Sequence, residues 1–139
     1  MNPTRLMIIA GGIVLGGCVA SPHSALPTEA RNITATAVSS PSVTVRDPAL
    51  RVWNGRLELT GFVVKVYAAK TTEQTHLDVS FIDGSGGMLR TQTVKFSPQR
   101  LINARRAPNR QGNYVVPLDS LPAGTVRIEV RAHDGEHPS

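Results

Sequence analysis

The chain holds a single cysteine, Cys18, in 139 residues. No intramolecular disulfide is available to it, so its stability must come from packing. It also lacks an apolar run of the roughly 20 residues that a membrane-spanning helix needs. The longest such stretch, Leu6 to Leu15, is half that length. No serine stands in a Gly-x-Ser-x-Gly elbow. The serines cluster in segments that read as linker or turn, and His76 and His133 fall on the outward faces of predicted strands. A hydroxyl nucleophile beside a histidine base is therefore not legible, and nothing in the residues calls for a cofactor. The expectation is a protein that binds rather than catalyses.

What is present begins at the N-terminus. Arg5 precedes the apolar run, and Leu15-Gly16-Gly17-Cys18 closes it. This order of a positive residue, a short apolar core and small residues is that of a cleavable export signal. The tetrapeptide resembles the lipobox of bacterial lipoproteins. The resemblance implies cleavage before Cys18, with Leu15, Gly16 and Gly17 read by the signal peptidase, and a diacylglyceryl thioether on the Cys18 sulfur. It also implies an N-acyl chain, and two or more chains make anchoring stable. Cys18 is then consumed by lipid, and no thiol catalyst remains. Residue 19 is Val rather than the Asp that commonly retains such proteins at the inner membrane. The resemblance thus points to the periplasmic face of a Gram-negative outer membrane, or to the outer face of the cytoplasmic membrane in a Gram-positive cell.

The resulting organisation is a signal peptide over 1–17, a lipidated tether over 18–42, a domain over 43–134 and a polar tail over 135–139. The tether is rich in Ser, Pro, Ala and Thr without helical or strand period, and reads as disordered. About 120 mature residues suffice for one domain with its own core. Loss of Arg5 lowers the formal charge from +5 to +4, a mild basic balance.

The domain reads as all-β. Val43-Thr44-Val45 is a short first strand. Asn54-Gly55 joins two alternating runs, Leu50–Trp53 and Arg56–Thr60, which is the strongest short hairpin signal because both turn residues tolerate positive φ. Leu57 and Leu59 occupy odd positions, while Phe62, Val64 and Val66 occupy even ones. The phase change predicts a bulge at Gly61 that returns the even residues to the core. Leu77, Val79 and Phe81 alternate in the next strand, Asp83–Gly87 turns the chain, and Met88–Phe96 reads as an edge strand because of Arg90 and Gln92. Tyr114, Val116 and Leu118 share a face, with Pro117 marking another edge. Val126, Ile128, Val130 and Ala132 face inward in the last strand. Six or seven short strands form a small antiparallel β-sandwich.

Leu118-Asp119-Ser120-Leu121-Pro122-Ala123-Gly124-Thr125 and the alternating strand after it resemble the penultimate-strand corner of fibronectin type III domains. The resemblance spans about twenty residues and implies an immunoglobulin-like sandwich. Arg127 stands where that family has its corner tyrosine, and little chain follows the last strand. The expected topology is therefore altered.

Three segments invite functional readings. His133-Asp134-Gly135-Glu136-His137 offers imidazoles and carboxylates to a zinc or nickel ion, but its place at the C-terminus favours a frayed polar tail, so no metal is assigned. Asp83-Gly84-Ser85-Gly86-Gly87 has too few carboxylates for calcium and reads as a hairpin turn. Ser97 to Gly112 has no acidic residue and carries Arg100, Arg105, Arg106 and Arg110. Ser97-Pro98 reads as a helix start, with Leu101 and Ile102 pinning one turn to the domain. Arginine forks suit phosphate or carboxylate. These four arginines are the candidate partner-binding residues, for an envelope protein or an anionic envelope component; the compartment makes nucleic acid an unexpected partner. The preferred function is a lipid-anchored accessory subunit of an envelope assembly. The rival is a periplasmic carrier or sensor for a small ligand or metal.

Overall fold

A computed structural model describes residues 23–103 and 109–135. Two sheets face each other. One has the order β1 (His23–Ser24), β3 (Val43–Trp53), β4 (Arg56–Lys65), β7 (Gln111–Pro117). The other has the order β2 (Thr34–Val38), β8 (Thr125–Asp134), β5 (Thr75–Asp83), β6 (Met88–Val94). The fold is a β-sandwich. Val43, Val45, Leu59, Val63, Tyr114 and Val116 from the first sheet meet Leu77, Val79, Phe81, Ile128 and Val130 from the second, and all are buried. Side chains of this size stabilise by about 1.5–3 kcal/mol each when fully buried.

The hairpin at Asn54-Gly55 forms as its sequence predicts. Both residues have positive φ, 48° and 74°, between the paired Trp53 and Arg56. Met88–Val94 and Gln111–Pro117 are edge strands, also as predicted. In the last strand Ile128, Val130 and Ala132 are buried, but Val126 is 46% exposed. It lies beside the register shift between Ile82 and Asp83, where the pairing of β5 with β8 becomes irregular.

The tether reading is corrected from His23 to Ser42; residues 18–22 lie outside the described residues. His23 and Ser24 pair with Trp53 and Val52, Thr28–Ala30 forms a 3₁₀ turn, and Thr34–Val38 is a full strand. Ala30 is buried, and Ile33 and Ala35 pack against the core. Alanine and threonine there fill the margin of the sandwich, and backbone pairing supplies what apolar periodicity does not. The domain thus begins at or before His23 rather than at Val43. The sandwich is antiparallel as expected apart from one edge pairing, in which β2 runs parallel to β8, from Thr34↔Arg127 to Val38↔Arg131.

The bulge is on the other strand. Arg46 pairs with Phe62 and Ala49 with Thr60, so Asp47 and Pro48 together oppose Gly61. Asp47 has φ 49°, a conformation that Asp reaches more readily than most residues. The phase therefore flips within β3, from Val43 and Val45 to Leu50 and Val52. The two short runs are one strand bent at Asp47-Pro48. β4 keeps one phase throughout: Leu57, Leu59, Gly61 and Val63 point inward, and Phe62 and Val64 point out. The expectation that the even residues turn inward is overturned.

Gly61 stands directly opposite Tyr114 on β7. A Cβ at position 61 would lie 2.2 Å from the Tyr114 hydroxyl and 2.9 Å from the Arg46 carbonyl oxygen. The tyrosine ring thus occupies the space that a side chain would take, an aromatic covering a strand glycine. Its hydroxyl is buried without a hydrogen-bond partner among the described residues. Burial, and secondarily the Asp47 carboxylate, push its pKa above the ordinary tyrosine value.

Two stability outcomes follow. Gly61→Ala should cost about 2–3 kcal/mol in urea unfolding, through overpacking against a ring with nowhere to move. Tyr114→Leu should recover part of that loss in the double variant. Tyr114→Phe alone should be neutral or stabilise by up to about 1 kcal/mol, since it removes an unsatisfied buried hydroxyl.

Candidate interaction surfaces

Lipobox residues Leu15, Gly16, Gly17 and Cys18 lie outside the described residues, as do Arg105, Arg106, Glu136 and His137. Arg100 and Arg110 are exposed at the two ends of the crossover from β6 to β7. That crossover does not start a helix. Ser97 exchanges two main-chain hydrogen bonds with Asn113, each 2.8 Å, which hold it extended. Beyond it, Thr72 organises the chain: its hydroxyl donates to the Gln99 carbonyl (2.7 Å) and accepts from the Leu101 amide (2.9 Å). The Gln99 side-chain amide donates back to the Thr72 and Thr75 carbonyls. Leu101 is buried and pins the loop, whereas Ile102 is exposed. The Asn103 side chain donates to the Val66 carbonyl (3.3 Å), and Asn109 donates to the Arg100 carbonyl (2.9 Å). The described parts of the segment, up to Asn103 and from Asn109, are thus fastened to each other and to the connection between β4 and β5.

The Asp83 turn is structural. Its Oδ1 accepts the Ser85 hydroxyl (2.7 Å), the Ser85 amide (2.9 Å) and the Gly87 amide (2.8 Å). These bonds, led by the Ser85 hydroxyl, hold the carboxyl below its ordinary pKa. An oxygen committed to three donors is satisfied without a cation. Among the described residues no group of three or more His, Cys, Asp or Glu is arranged to hold a metal.

Strand pairing assembles one polar cluster that the sequence reading missed. His76 and His133 are register partners, and their rings stack with centroids 5.8 Å apart. Asp78 is buried; its Oδ2 lies 3.3 Å from His133 Nε2, and its Oδ1 accepts the Thr93 hydroxyl at 2.7 Å. The cluster borders an open cleft of about 780 Å³ lined in part by Glu73, Thr75, His76 and Lys95. The order is hydroxyl, carboxylate, imidazole. Nucleophilic activation requires the imidazole in the middle, so these groups do not form a triad. The only signal in sequence was the shared parity of His76 and Asp78, which requires the β8 register to interpret.

At the same end of the sandwich, Asp134 fastens three elements. Its carboxylate accepts the Ser40 hydroxyl (2.9 Å), the Thr75 hydroxyl (2.9 Å) and the Ser42 amide (3.0 Å). Partial burial is the largest single influence on it and raises its pKa. The hydrogen bonds from Ser40, Thr75 and Ser42 together outweigh that and leave it below the ordinary value. Asp134 is thus a clasp between β8, β5 and the β2–β3 connection, and it ends β8 where the expected domain boundary at 134 falls.

The outer face of the first sheet has a different character. Phe62, Val64 and Ala49 point away from the core there, and Val115 is 52% exposed. The described residues form two layers, so no third layer covers this face. Arg46, Arg51 and Arg56 surround it. Glu58 is the acidic residue among them, and it pairs with Arg51 at 3.0 Å. The second half of β4 is therefore apolar on both sides, with Phe62 and Val64 outward and Val63 inward, whereas Arg56, Glu58 and Thr60 keep the outer side of its first half polar.

No protein-family model matches the chain, and no match was found among curated proteins or solved structures.

The Asp134 clasp sets a pH dependence. Because its folded pKa is lowered, its stabilisation is present above the ordinary carboxyl value of 3.8 and is lost as pH falls through the folded value. Asp134→Asn should lower stability at neutral pH by about 1–2 kcal/mol. It should also flatten the fall in stability below about pH 4, as followed by thermal melting across a pH series.

Proposed function

We propose that the chain is a lipid-anchored, non-enzymatic envelope protein whose sandwich binds another envelope protein, as an accessory subunit of a cell-envelope assembly. The observation that carries this reading is the outward apolar cluster on β4 and β7, in which Val115 is 52% exposed and Phe62 and Val64 beside it are half-buried. An exposed apolar patch with a polar rim is the usual mark of an interaction site. Its rim is basic through Arg46 and Arg56, so the fitting partner presents an apolar surface bordered by carboxylates. The lipobox-like Leu15–Cys18 supports the anchor at the membrane. Ordered pairing from His23 leaves four residues between Cys18 and the first strand. An anchored domain then sits close to the lipid surface, where a membrane-bound partner is concentrated.

The test has two arms. Cys18→Ser should move the protein from the membrane to the soluble fraction of its host; retention in the membrane would sink the anchor. Val115→Glu combined with Phe62→Ser should abolish recovery of a stable partner by crosslinking in intact cells. Val115 is 52% exposed and Phe62 half-buried, so the purified variant should keep its β-sheet circular dichroism, and undiminished crosslinking by the folded variant would overturn the assignment of this face.

A further inference from the structure

The strand directions separate the two ends of the sandwich. β3 runs from Val43 to Trp53, and the chain enters the domain beside Trp53 through its pairing with His23. That end also holds the Asn54-Gly55 and Asp83–Gly87 turns. The opposite end holds the β4–β5 connection, the crossover leading to β7 and the last residues of β8. A strand of nine or ten residues, as β5 and β8 are, is about 30 Å long at roughly 3.3 Å per residue.

The far end is basic. Lys65 ends β4 and Lys70 stands on the connection after it, where the Lys65 ammonium donates to the Lys70 carbonyl at 3.3 Å. Lys95, Arg100 and Arg110 stand on the crossover leading to β7. The Asn103-to-Val66 hydrogen bond links the two connections, and the strand register puts all five cations at this end of the sandwich. The described acids at this end, Asp134 in its clasp and Glu73 bonded by the Thr71 hydroxyl at 3.2 Å, are outnumbered by the five cations. Tyr67, 90% exposed, lies between Lys65 and Lys70 in the chain.

We propose that this end binds a carboxylate-bearing glycan polymer of the cell wall. Spaced cations match repeated carboxylates, and many weak contacts along one polymer add through effective concentration. The Tyr67 ring offers a flat apolar face against which the C–H face of a sugar stacks. A preference for the wall over the protein's own membrane rests on the anchor proposed above. From Cys18 to His23 the chain reaches about 17 Å at ~3.4 Å per residue, on the side of the domain away from the cations. The binding itself does not need the anchor and is a second contact, distinct from the apolar face.

The experiment is cosedimentation of the purified full-length chain, in detergent, with isolated peptidoglycan sacculi. Native sacculi should pellet the protein, and sacculi with amidated carboxyls should pellet about tenfold less. Lys70→Glu with Arg100→Glu should lose binding to a similar degree with unchanged circular dichroism, Tyr67→Ala should weaken it, and added salt should suppress it. Equal binding to amidated sacculi, undiminished binding by the double charge variant, or stronger binding to vesicles of anionic phospholipid would overturn the proposal. The Cys18→Ser chain separates the two readings. Sacculus binding retained while membrane fractionation is lost supports both. Loss of sacculus binding with the wild-type anchor intact defeats this proposal alone, and membrane retention by Cys18→Ser defeats the anchor alone.

Discussion

The fit of Tyr114 over Gly61 decides which way the central strand of the first sheet faces. With no side chain at 61, the ring lies across β4, and the Asp47-Pro48 bulge on β3 wraps the other side of the same residue. Any larger residue would displace an aromatic that is packed on all sides. Leu59 and Val63 are thereby directed into the core together with Gly61, and Phe62 and Val64 are directed out. The core and the outer apolar surface are two consequences of one close approach. An unpartnered hydroxyl is the cost of placing tyrosine there.

The two ends of the sandwich carry different work. At the entry end, a two-residue pairing and a 3₁₀ turn bring the chain in from the N-terminal side. At the far end, Asp134, Thr72 and Gln99 tie loops from both sheets to one another with side-chain hydrogen bonds. A clasp of this kind is sensitive to acid because a carboxylate is its acceptor. It also gives the basic loops a defined base, so their cations are displayed rather than spread over a random coil. The two proposed contacts, an apolar sheet face and a basic end, are thus separate surfaces on a single rigid body.

Much of the fold was legible before any coordinates. The Asn54-Gly55 hairpin, the inward set Leu77, Val79 and Phe81, and the two edge strands were all readable from alternation and turn chemistry. Other elements were not, for particular reasons. Thr34–Val38 carries no periodic large apolar residue, because a marginal strand needs only Ala35 to touch the core and takes its order from β8. The phase flip was visible in Val43, Val45, Leu50 and Val52, but splitting β3 into two strands hid it and moved the bulge to Gly61. The Ser97 segment has a helix-like opening, yet its backbone groups find partners in Asn113 and Thr72, distant in sequence. Of the candidate partner residues, Arg100 and Arg110 proved exposed as read, whereas the His76, Asp78, His133 and Thr93 cluster emerged only from cross-strand register.

What the sequence determined by itself was local: a lipobox-like N-terminus, one hairpin turn, strand alternation, a basic segment without acids. Each depends on residues adjacent in the chain, so short-range sterics and patterning suffice to read it. Only the tertiary structure decided which face of β4 is outward, that residues after His23 belong to the domain, and that Asp134 is a clasp. Those outcomes depend on pairings between residues far apart in sequence. The Phe62–Val64 stretch is apolar on both sides and has no local preference for either, and it was Tyr114, more than fifty positions from Gly61, that settled the choice.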